Sequence, residues 1–119
     1  VKYAQERSQF GSPIGRFQGV KHPLAERLVD VESAKSILYY AAWCLDERDP
    51  DAARAVSLAK AYASEAFARI GVDSVQLHGG VGFTWEYDPH LYLKRSKWAR
   101  PAFGDSDFHY DRAIAIGEQ

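Results

Sequence analysis

Two segments of the chain carry side chains that can bind a phosphorylated ligand. The first, RSQFGSPIGRFQ, occupies positions 7–18, and the second, QLHGGVGFT, occupies positions 76–84. An arginine such as Arg7 binds phosphate through paired, charge-assisted hydrogen bonds, and a glutamine such as Gln76 offers both a donor and an acceptor. At Gly79 and Gly80 the missing Cβ lets backbone N–H groups come close to a phosphate or a ribose. Phosphate binding is therefore one hypothesis for both segments.

Each segment also has a purely structural interpretation. The first could be a joint between two helices, with Arg7 in solvent and Phe10 plugging the core. The second could be a glycine C-cap that ends a helix. Neither motif taken alone decides between these interpretations, so the elements that position them have to be considered.

A long helical pattern follows the first segment, from about Phe17 to Arg48. Its apolar residues recur at intervals of three and four, which predicts an amphipathic helix. Pro23 falls in the first turn or two, so we expect the regular helix to start there. The apolar stripe consists of Leu24, Leu28, Val31, Leu38, Ala42 and Leu45, broadened by Ala34, Ile37, Ala41 and Cys44 into a face wide enough for a bundle core.

A second long helix is predicted from Pro50 to about His78, after a turn in which Asp49 is the expected N-cap. Most of its apolar positions are alanine, which lets a neighbouring helix approach closely. Gly71 interrupts this pattern at a cost of about 1 kcal/mol relative to alanine, so we expect it to have a packing role.

Two shorter helices are predicted after the glycine-rich turn. One runs from Asp88-Pro89 to about Arg100, and the other from about Asp107 to Ile116. Asp105, Ser106 and Asp107 are possible N-caps of the last helix. No stretch of useful length alternates between apolar and polar residues, so the sequence predicts an all-α fold.

Composition restricts the class of protein. The chain has 119 residues, 46% of them hydrophobic, a net charge near −1 and one cysteine, which fits a single soluble domain over residues 1–119. The near-zero charge gives no case for nucleic acid, and no apolar run reaches the roughly 20 residues that span a bilayer. Cys44 is expected to be a buried structural thiol in a reducing, cytoplasmic compartment. The chain begins in a helical pattern without a methionine, so we expect it to be part of a longer protein.

Metal binding was considered because helical bundles host di-iron sites built from Glu-x-x-His pairs. The four histidines form no such pair, since His22 and Glu26 are separated by Pro23, and His78, His90 and His109 are scattered around turns. We expect solvated or packing histidines and no metal site.

Together, in this order and on either side of a two-helix hairpin, the two motifs resemble the C-terminal domain of the acyl-CoA dehydrogenases. The resemblance extends over the whole chain, including the ending FGD at positions 103–105. It implies an up-down four-helix bundle within an enzyme about three times as long. In that family FAD binds between the middle and C-terminal domains of one subunit and touches the C-terminal domain of a neighbour.

The resemblance also implies an activity and partners. The family removes two hydrogens across the Cα–Cβ bond of an acyl-CoA: a glutamate takes the α-proton, flavin N5 takes the β-hydride, and an electron-transfer flavoprotein accepts the electrons. The full-length protein would then be a homo- or hetero-oligomeric oxidoreductase, and this chain alone is expected to be inactive. Carried onto this sequence, the expected FAD-binding residues are Arg7, Gln9, Phe10, Gln18, Gln76, Gly79, Gly80 and Asp105.

One position departs from the family pattern. Where many members carry the catalytic glutamate in a Glu-Gly-Thr motif, this chain has Phe103-Gly104-Asp105, and a phenyl ring cannot accept a proton. We therefore assign no catalytic residue within the chain. The base could lie on an earlier helix, or the chain could belong to a non-catalytic partner subunit. A helical interaction module that has lost flavin binding is a third hypothesis, against which Arg7, Gln76 and the glycine pair argue.

Overall fold

The computed structural model describes residues 1–79, 82 and 84–118. Its elements are α1 (Lys2–Glu6), the two-residue strands β1 (Ser8–Gln9) and β2 (Ser12–Pro13), a 3-10 turn (Ile14–Arg16), and the helices α2 (Gln18–Asp46), α3 (Ala52–His78), α4 (Pro89–Ala99) and α5 (Ser106–Gly117). The all-α prediction with four principal helices is confirmed. No helix in the described ranges is both long enough and apolar enough to cross a membrane.

Helix α3 is the centre of the fold, because α2, α4 and α5 all pack against it. Near its C-terminal end, a Cβ added to Gly71 would lie 3.1 Å from Ser96 Oγ of α4. Near its N-terminal end, Arg112 of α5 donates a hydrogen bond of 3.1 Å to Ser57 Oγ. Helices α4 and α5 thus lie end to end and antiparallel to α3, and the packing role predicted for Gly71 is confirmed.

Small side chains fill the interface between α2 and α3. Their short side chains let the two helix axes come close, as the alanine-rich pattern predicted. The buried core consists of Ala41, Cys44, Ala55 and Ala59, with Ile37, Ala52 and Val56 packed against it. Cys44 is fully buried, so the prediction of a structural thiol is confirmed.

The predicted core stripe of α2 is in part wrong. Leu28, Leu38 and Leu45 are 56–61% exposed, while the residues expected only to broaden the stripe, Ala41 and Cys44, are buried. The physical reason is steric, because the alanine-rich surface of α3 accepts small partners at close range and leaves these leucines outside the contact between the two helices. The outer, solvent-exposed face of α2 also carries aromatic side chains, namely Tyr39, Tyr40 and Trp43.

Helix α2 begins at Gln18, close to the start predicted at about Phe17, because the N–H groups of Val20 and Lys21 donate to the carbonyl of Phe17. Pro23 lies inside the helix, so the expected start of the regular helix at Pro23 is wrong. Helix α3 begins two residues later than predicted. The Asp49 side chain accepts from the N–H of Asp51 at 2.8 Å, which makes a turn before the helix rather than an N-cap.

Candidate functional site

A tight hairpin displays Phe10 at the surface. Strands β1 and β2 pair with Gln9 opposite Ser12, and the two residues between them, Phe10 and Gly11, have φ of 53° and 78°. Two positive φ values are the signature of a type I′ hairpin turn, which glycine tolerates and phenylalanine rarely adopts. Phe10 is 94% exposed and touches only the edge of the Phe17 ring, at a centroid distance of 6.3 Å. The interpretation of Phe10 as a core plug is therefore wrong.

The second segment ends α3 as predicted. Gly79 is the C-cap, with φ of 61°, and its N–H donates to the carbonyl of Gln76. Gln76 is exposed in the last turn of the helix. Gly80, together with Val81 and Phe83, lies outside the described residues.

The structure brings the two segments to the same end of the bundle. The rings of Tyr3 in α1 and His78 in α3 stack with centroids 3.9 Å apart. Arg7 follows α1 directly: its N–H donates to the Tyr3 carbonyl, and its carbonyl accepts from the N–H of Ile14, both at 2.8 Å. The backbone of Arg7 is thus held beside the end of α3. Its exposed guanidinium has no carboxylate partner within the described part of the chain.

An open pocket of ≈ 710 Å³ lies between the hairpin segment, the first half of α2 and the last turns of α3. Residues of both motifs line it, with Phe10 and Phe17 on one side and Gln76 and His78 on the other. Its remaining walls are largely aliphatic: Val1, Ile14, Val20, Pro23, Leu24, Leu28, Val31, Ile70 and Leu77. An apolar cleft with a few amides and a nearby guanidinium suits a planar heteroaromatic ring that carries phosphate.

A buried carboxylate joins α2 and α3 beside this pocket. Asp30 accepts from Nε and Nη2 of Arg69, at 3.2 and 2.9 Å, and from the Tyr62 hydroxyl at 3.1 Å. Arg27 of α2 pairs with Asp30 at 3.1 Å and with Asp73 at 3.5 Å. The Arg69 hydrogen bonds outweigh the effect of burial and hold the pKa of Asp30 below its ordinary value. This cluster fixes the relative position of the two helices that form the pocket walls.

Of the expected site residues that the structure describes, Gln9, Phe10 and Gln76 line the pocket, whereas Arg7, Gln18, Gly79 and Asp105 do not. Gln18 is the exposed first residue of α2. Asp105 is the N-cap of α5, where its side chain accepts from the N–H of Phe108 at 2.9 Å. The neighbouring Gly104 carbonyl binds Lys60 of α3, and a rise of 1.5 Å per residue separates Lys60 from Gln76 by roughly 24 Å along the helix. One chain therefore presents Asp105 and the Arg7 segment on separate surfaces.

The turn between α4 and α5, which contains Phe103, is held by polar side chains of α3. The Lys60 ammonium donates to the carbonyls of Ala99, Arg100 and Gly104 at 3.1–3.3 Å. Glu65 accepts from Arg100 and Ser106 at 2.8 and 2.9 Å. Although burial acts to raise the pKa of Glu65, these two hydrogen bonds outweigh it and lower the pKa.

Phe103 itself is presented to the outside. It has φ of 61° and is 87% exposed, and its carbonyl accepts from His109 Nε2 at 2.8 Å. Phe10, Arg48 and Phe103 are the three non-glycine residues with positive φ in the described ranges. Such conformations cost free energy and concentrate at functional sites. Two of the three belong to the segments that the sequence had marked for a cofactor and for a catalytic base.

Sequence reasoning missed Lys60 and Glu65. The sequence did contain a signal for them, because Lys60 and Glu65 lie in the alanine-rich run SLAKAYASEAF. A charged side chain on a helix that packs against neighbours on two sides needs a polar or charged partner. What the sequence did not indicate was the partner, since the carbonyls that Lys60 binds lie about 40 residues further along the chain.

Replacing Lys60 with methionine is expected to loosen the α4–α5 turn. Methionine keeps an unbranched stem but leaves the carbonyls of Ala99 and Gly104 without their donor, at a cost of about 2 kcal/mol. We expect a lower free energy of unfolding in urea and faster amide exchange over residues 101–106. Lys97→Met, at an exposed position of α4, is the matched control and should leave both unchanged. Unaltered exchange at the turn in Lys60→Met would show that the ammonium does not hold it.

The histidines have packing partners in the structure. His90 Nδ1 lies 2.8 Å from the Tyr87 carbonyl, and His109 binds the Phe103 carbonyl. No three His, Cys, Asp or Glu side chains converge as metal ligands within the described ranges.

The structure is a helical domain in which the two motifs lie at one end of the bundle. Comparison with known proteins identifies its family. The sequence pattern of the acyl-CoA dehydrogenase C-terminal domain matches residues 1–115. The chain belongs to this family, which confirms the resemblance seen in the sequence.

Relatives support the assignment. The acyl-CoA dehydrogenase IpdE2 of Mycolicibacterium smegmatis is 38% identical over 104 residues, covering 87% of this chain and 32% of that protein. Subunit CarC of the caffeyl-CoA reductase–Etf complex of Acetobacterium woodii is 41% identical over 87 residues, or 73% and 23% of the two chains. A solved FAD-dependent dehydrogenase superposes with a TM-score of 0.90 at 36% sequence identity. The match covers 96% of this chain and 30% of that protein. The chain thus spans about a third or less of the length of these relatives.

Proposed function

We propose that the chain is the FAD-binding and oligomerisation domain of an acyl-CoA dehydrogenase that oxidises the Cα–Cβ bond of an acyl-CoA thioester. The observation that carries the proposal is the convergence of Arg7, Phe10 and Gln76 at one end of the bundle. The Arg7 guanidinium is exposed and unpaired with acid, Phe10 is displayed on a strained turn, and Gln76 faces the same pocket. None of these features is explained by packing within the chain.

The residues present fit FAD in their chemistry. Arg7 would bind the two negative charges of the pyrophosphate, and the exposed end of α3 at Gly79 would let backbone groups approach a phosphate or ribose. The Phe10 ring would make an apolar contact with an aromatic ring of the cofactor. The amides of Gln9 and Gln76 would form hydrogen bonds with the polar edge of that ring. When bound, FAD supplies the acceptor for the substrate's β-hydride.

Asp105 and Gln18 are proposed as further contacts. Because Lys60, which binds the Gly104 carbonyl next to Asp105, lies roughly 24 Å along α3 from Gln76, the two surfaces would face two different FAD molecules, one of them bound mainly by a neighbouring subunit. Gln18, at the start of α2, would lie towards the adenine side of the nearer cofactor. This arrangement requires an oligomer.

Exposed apolar surface supports assembly. The outer face of α2 presents Leu38, Tyr39 and Trp43 to solvent, and Leu91 and Trp98 are half exposed on α4. On α2 the exposed rings of Tyr40 and Trp43 also stack, with centroids 6.2 Å apart, and exposed apolar patches are typical of interaction sites. We propose that further domains or subunits of the enzyme cover this surface. We propose an electron-transfer flavoprotein as the electron acceptor; one relative, CarC, is named as a subunit of a reductase–Etf complex.

A second candidate function follows from Phe103. The turn that would carry the base in many relatives is rigidly held here and ends in an exposed phenyl ring, so this turn cannot remove the α-proton. In the primary proposal a glutamate on an upstream helix does so. In the alternative, the chain belongs to a non-catalytic partner subunit that completes the FAD site of a catalytic one.

Anaerobic titration of the purified full-length protein with acyl-CoA thioesters tests both the primary proposal and the partner-subunit alternative. We expect bound flavin whose absorbance near its visible maximum bleaches as the hydride arrives. Bleaching by the protein alone supports an upstream base, and bleaching only after co-expression with a partner supports the alternative. The 119-residue chain, which lacks the rest of the cofactor site, is the control and should not retain stoichiometric FAD. A full-length protein that binds no flavin under either condition would overturn the proposal.

A further inference from the structure

Three aromatic rings from three segments of the chain meet at His78. Its ring stacks on Tyr3 of α1, with centroids 3.9 Å apart and planes 24° apart. Tyr87, in the loop before α4, lies 5.7 Å from His78 and 6.0 Å from Tyr3. The cluster therefore links the N-terminal segment, the end of α3 and the loop that follows the glycine-rich turn.

His78 is itself firmly held on α3. Its Nδ1 lies 2.7 Å from the Ser74 carbonyl one turn earlier, and since a carbonyl only accepts, Nδ1 carries the proton. The chain also passes closely over the backbone of His78. A Cβ added to Gly82 would lie 3.1 Å from the His78 Cβ and 2.7 Å from the Val75 carbonyl. His78 thus provides a fixed surface against which other segments pack.

The segment that carries Arg7 needs such a surface. Helix α1 has five residues and buries only Ala4, and a helix this short is not stable without tertiary contacts. Arg7 is bonded through its N–H to the Tyr3 carbonyl, so a displacement of Tyr3 moves Arg7 as well.

We propose that His78 is a positioning residue that ties α1, and through it Arg7, to the Gln76–Gly79 end of α3. The inference rests on the proposed FAD function, because the contact between His78 and Tyr3 would hold Arg7 and the Gln76–Gly79 end of α3 at the same FAD molecule. The ring acts by stacking on Tyr3, not by a direct bond to the cofactor.

Two substitutions at His78 in the full-length protein separate stacking from a polar contact. In His78→Ala we expect faster hydrogen exchange of the Gln5 and Arg7 amides in the FAD-free protein, and an FAD Kd raised about tenfold, the size of a lost aromatic stack. His78→Phe keeps a flat ring but has no nitrogen, so it should restore both the amide protection and the FAD Kd. Tyr3→Ala removes the same stack from the other side and should reproduce the effects of His78→Ala.

His22→Ala is the matched control, since His22 is exposed on α2, and both readouts should stay at wild-type values. Unchanged α1 exchange in His78→Ala would overturn the proposal. So would wild-type exchange with lost FAD affinity in His78→Phe, because that pattern identifies a direct contact. Wild-type protein that binds no FAD at all would instead overturn the proposed function. The exchange measurement, made without FAD, keeps the two failures distinguishable.

Discussion

Replacing Arg7 with alanine in the full-length protein is expected to weaken FAD binding by about 2–3 kcal/mol, which is roughly a 30- to 150-fold higher Kd. The guanidinium is exposed and has no acidic partner in the described part of the chain, and the backbone of Arg7 is held beside the end of α3. Its removal would leave a pyrophosphate charge without its paired donors in a largely desolvated site. Isothermal titration of the FAD-free protein with FAD measures the change.

Two further variants test the geometry of this contact. Arg7→Lys keeps the charge but cannot form two parallel hydrogen bonds, so an intermediate Kd is expected. Lys21→Ala removes an exposed positive charge from the same end of the molecule and controls for long-range electrostatics, with little effect expected. An FAD Kd in Arg7→Ala that equals the wild-type value would exclude Arg7 from the cofactor site.

Loss of the Asp30 carboxylate is expected to have the largest effect on stability. Asp30 is 8% exposed and accepts hydrogen bonds from Arg69 and Tyr62 while it pairs with Arg27. Asp30→Asn leaves the two arginines without their anion between α2 and α3. We expect a decrease of about 2–3 kcal/mol in the free energy of unfolding, because the partly exposed arginines can regain some hydration. Urea unfolding of the chain measures it.

The same carboxylate gives a pH dependence of defined sign. Because the pKa of Asp30 in the folded chain is lowered from 3.8, the unfolded chain binds the proton more readily. The stability that Asp30 contributes is therefore present above a pH of about 4 and is lost as the pH falls through the lower folded value. Asp30→Asn should flatten the acid limb of the unfolding free energy.

Glu32→Gln is the control for both measurements. Glu32 lies on the same helix and pairs with Lys35 at 2.9 Å in an exposed position. An exposed pair contributes about 0.5 kcal/mol, so little change is expected. Equal decreases in the free energy of unfolding for Asp30→Asn and Glu32→Gln would show that the buried Asp30 cluster stabilises the fold no more than an exposed ion pair does.

The helices of this protein could be predicted from local signals. Periodicity located the two long helices, while caps and helix breakers located the two short ones: Asp88-Pro89 marked the start of α4, and Asp105 was among the caps predicted for α5. Gly79 ended α3 as expected. These features depend on backbone preferences that are set by the residue types within a few positions, so the local sequence is enough to predict them. The start of α3 was misplaced because two nearby aspartates, Asp49 and Asp51, both accept local hydrogen bonds at the turn.

Sequence reasoning indicated some residues of the candidate site and missed others. The sequence indicated Arg7, Gln76 and the glycine turn through the family resemblance of the two motifs together, since each motif alone also had a structural interpretation. It did not indicate Lys60, Glu65 or the Asp30 cluster, since each of these acts on a partner more than 30 residues away along the chain. Such partners are set by helix packing.

The sequence by itself determined the all-α class, the order of the helices and the family, and it indicated the residues that we propose bind a phosphorylated cofactor. Only the tertiary structure decided which face of α2 is the core, that Phe10 stands outside it, and that Arg7 and Asp105 lie on separate surfaces. The physical reason is that helical periodicity reports an apolar face without its partner. Here the small side chains of α3 selected Ala41 and Cys44 over the leucines, because alanine surfaces pack at the shortest distance.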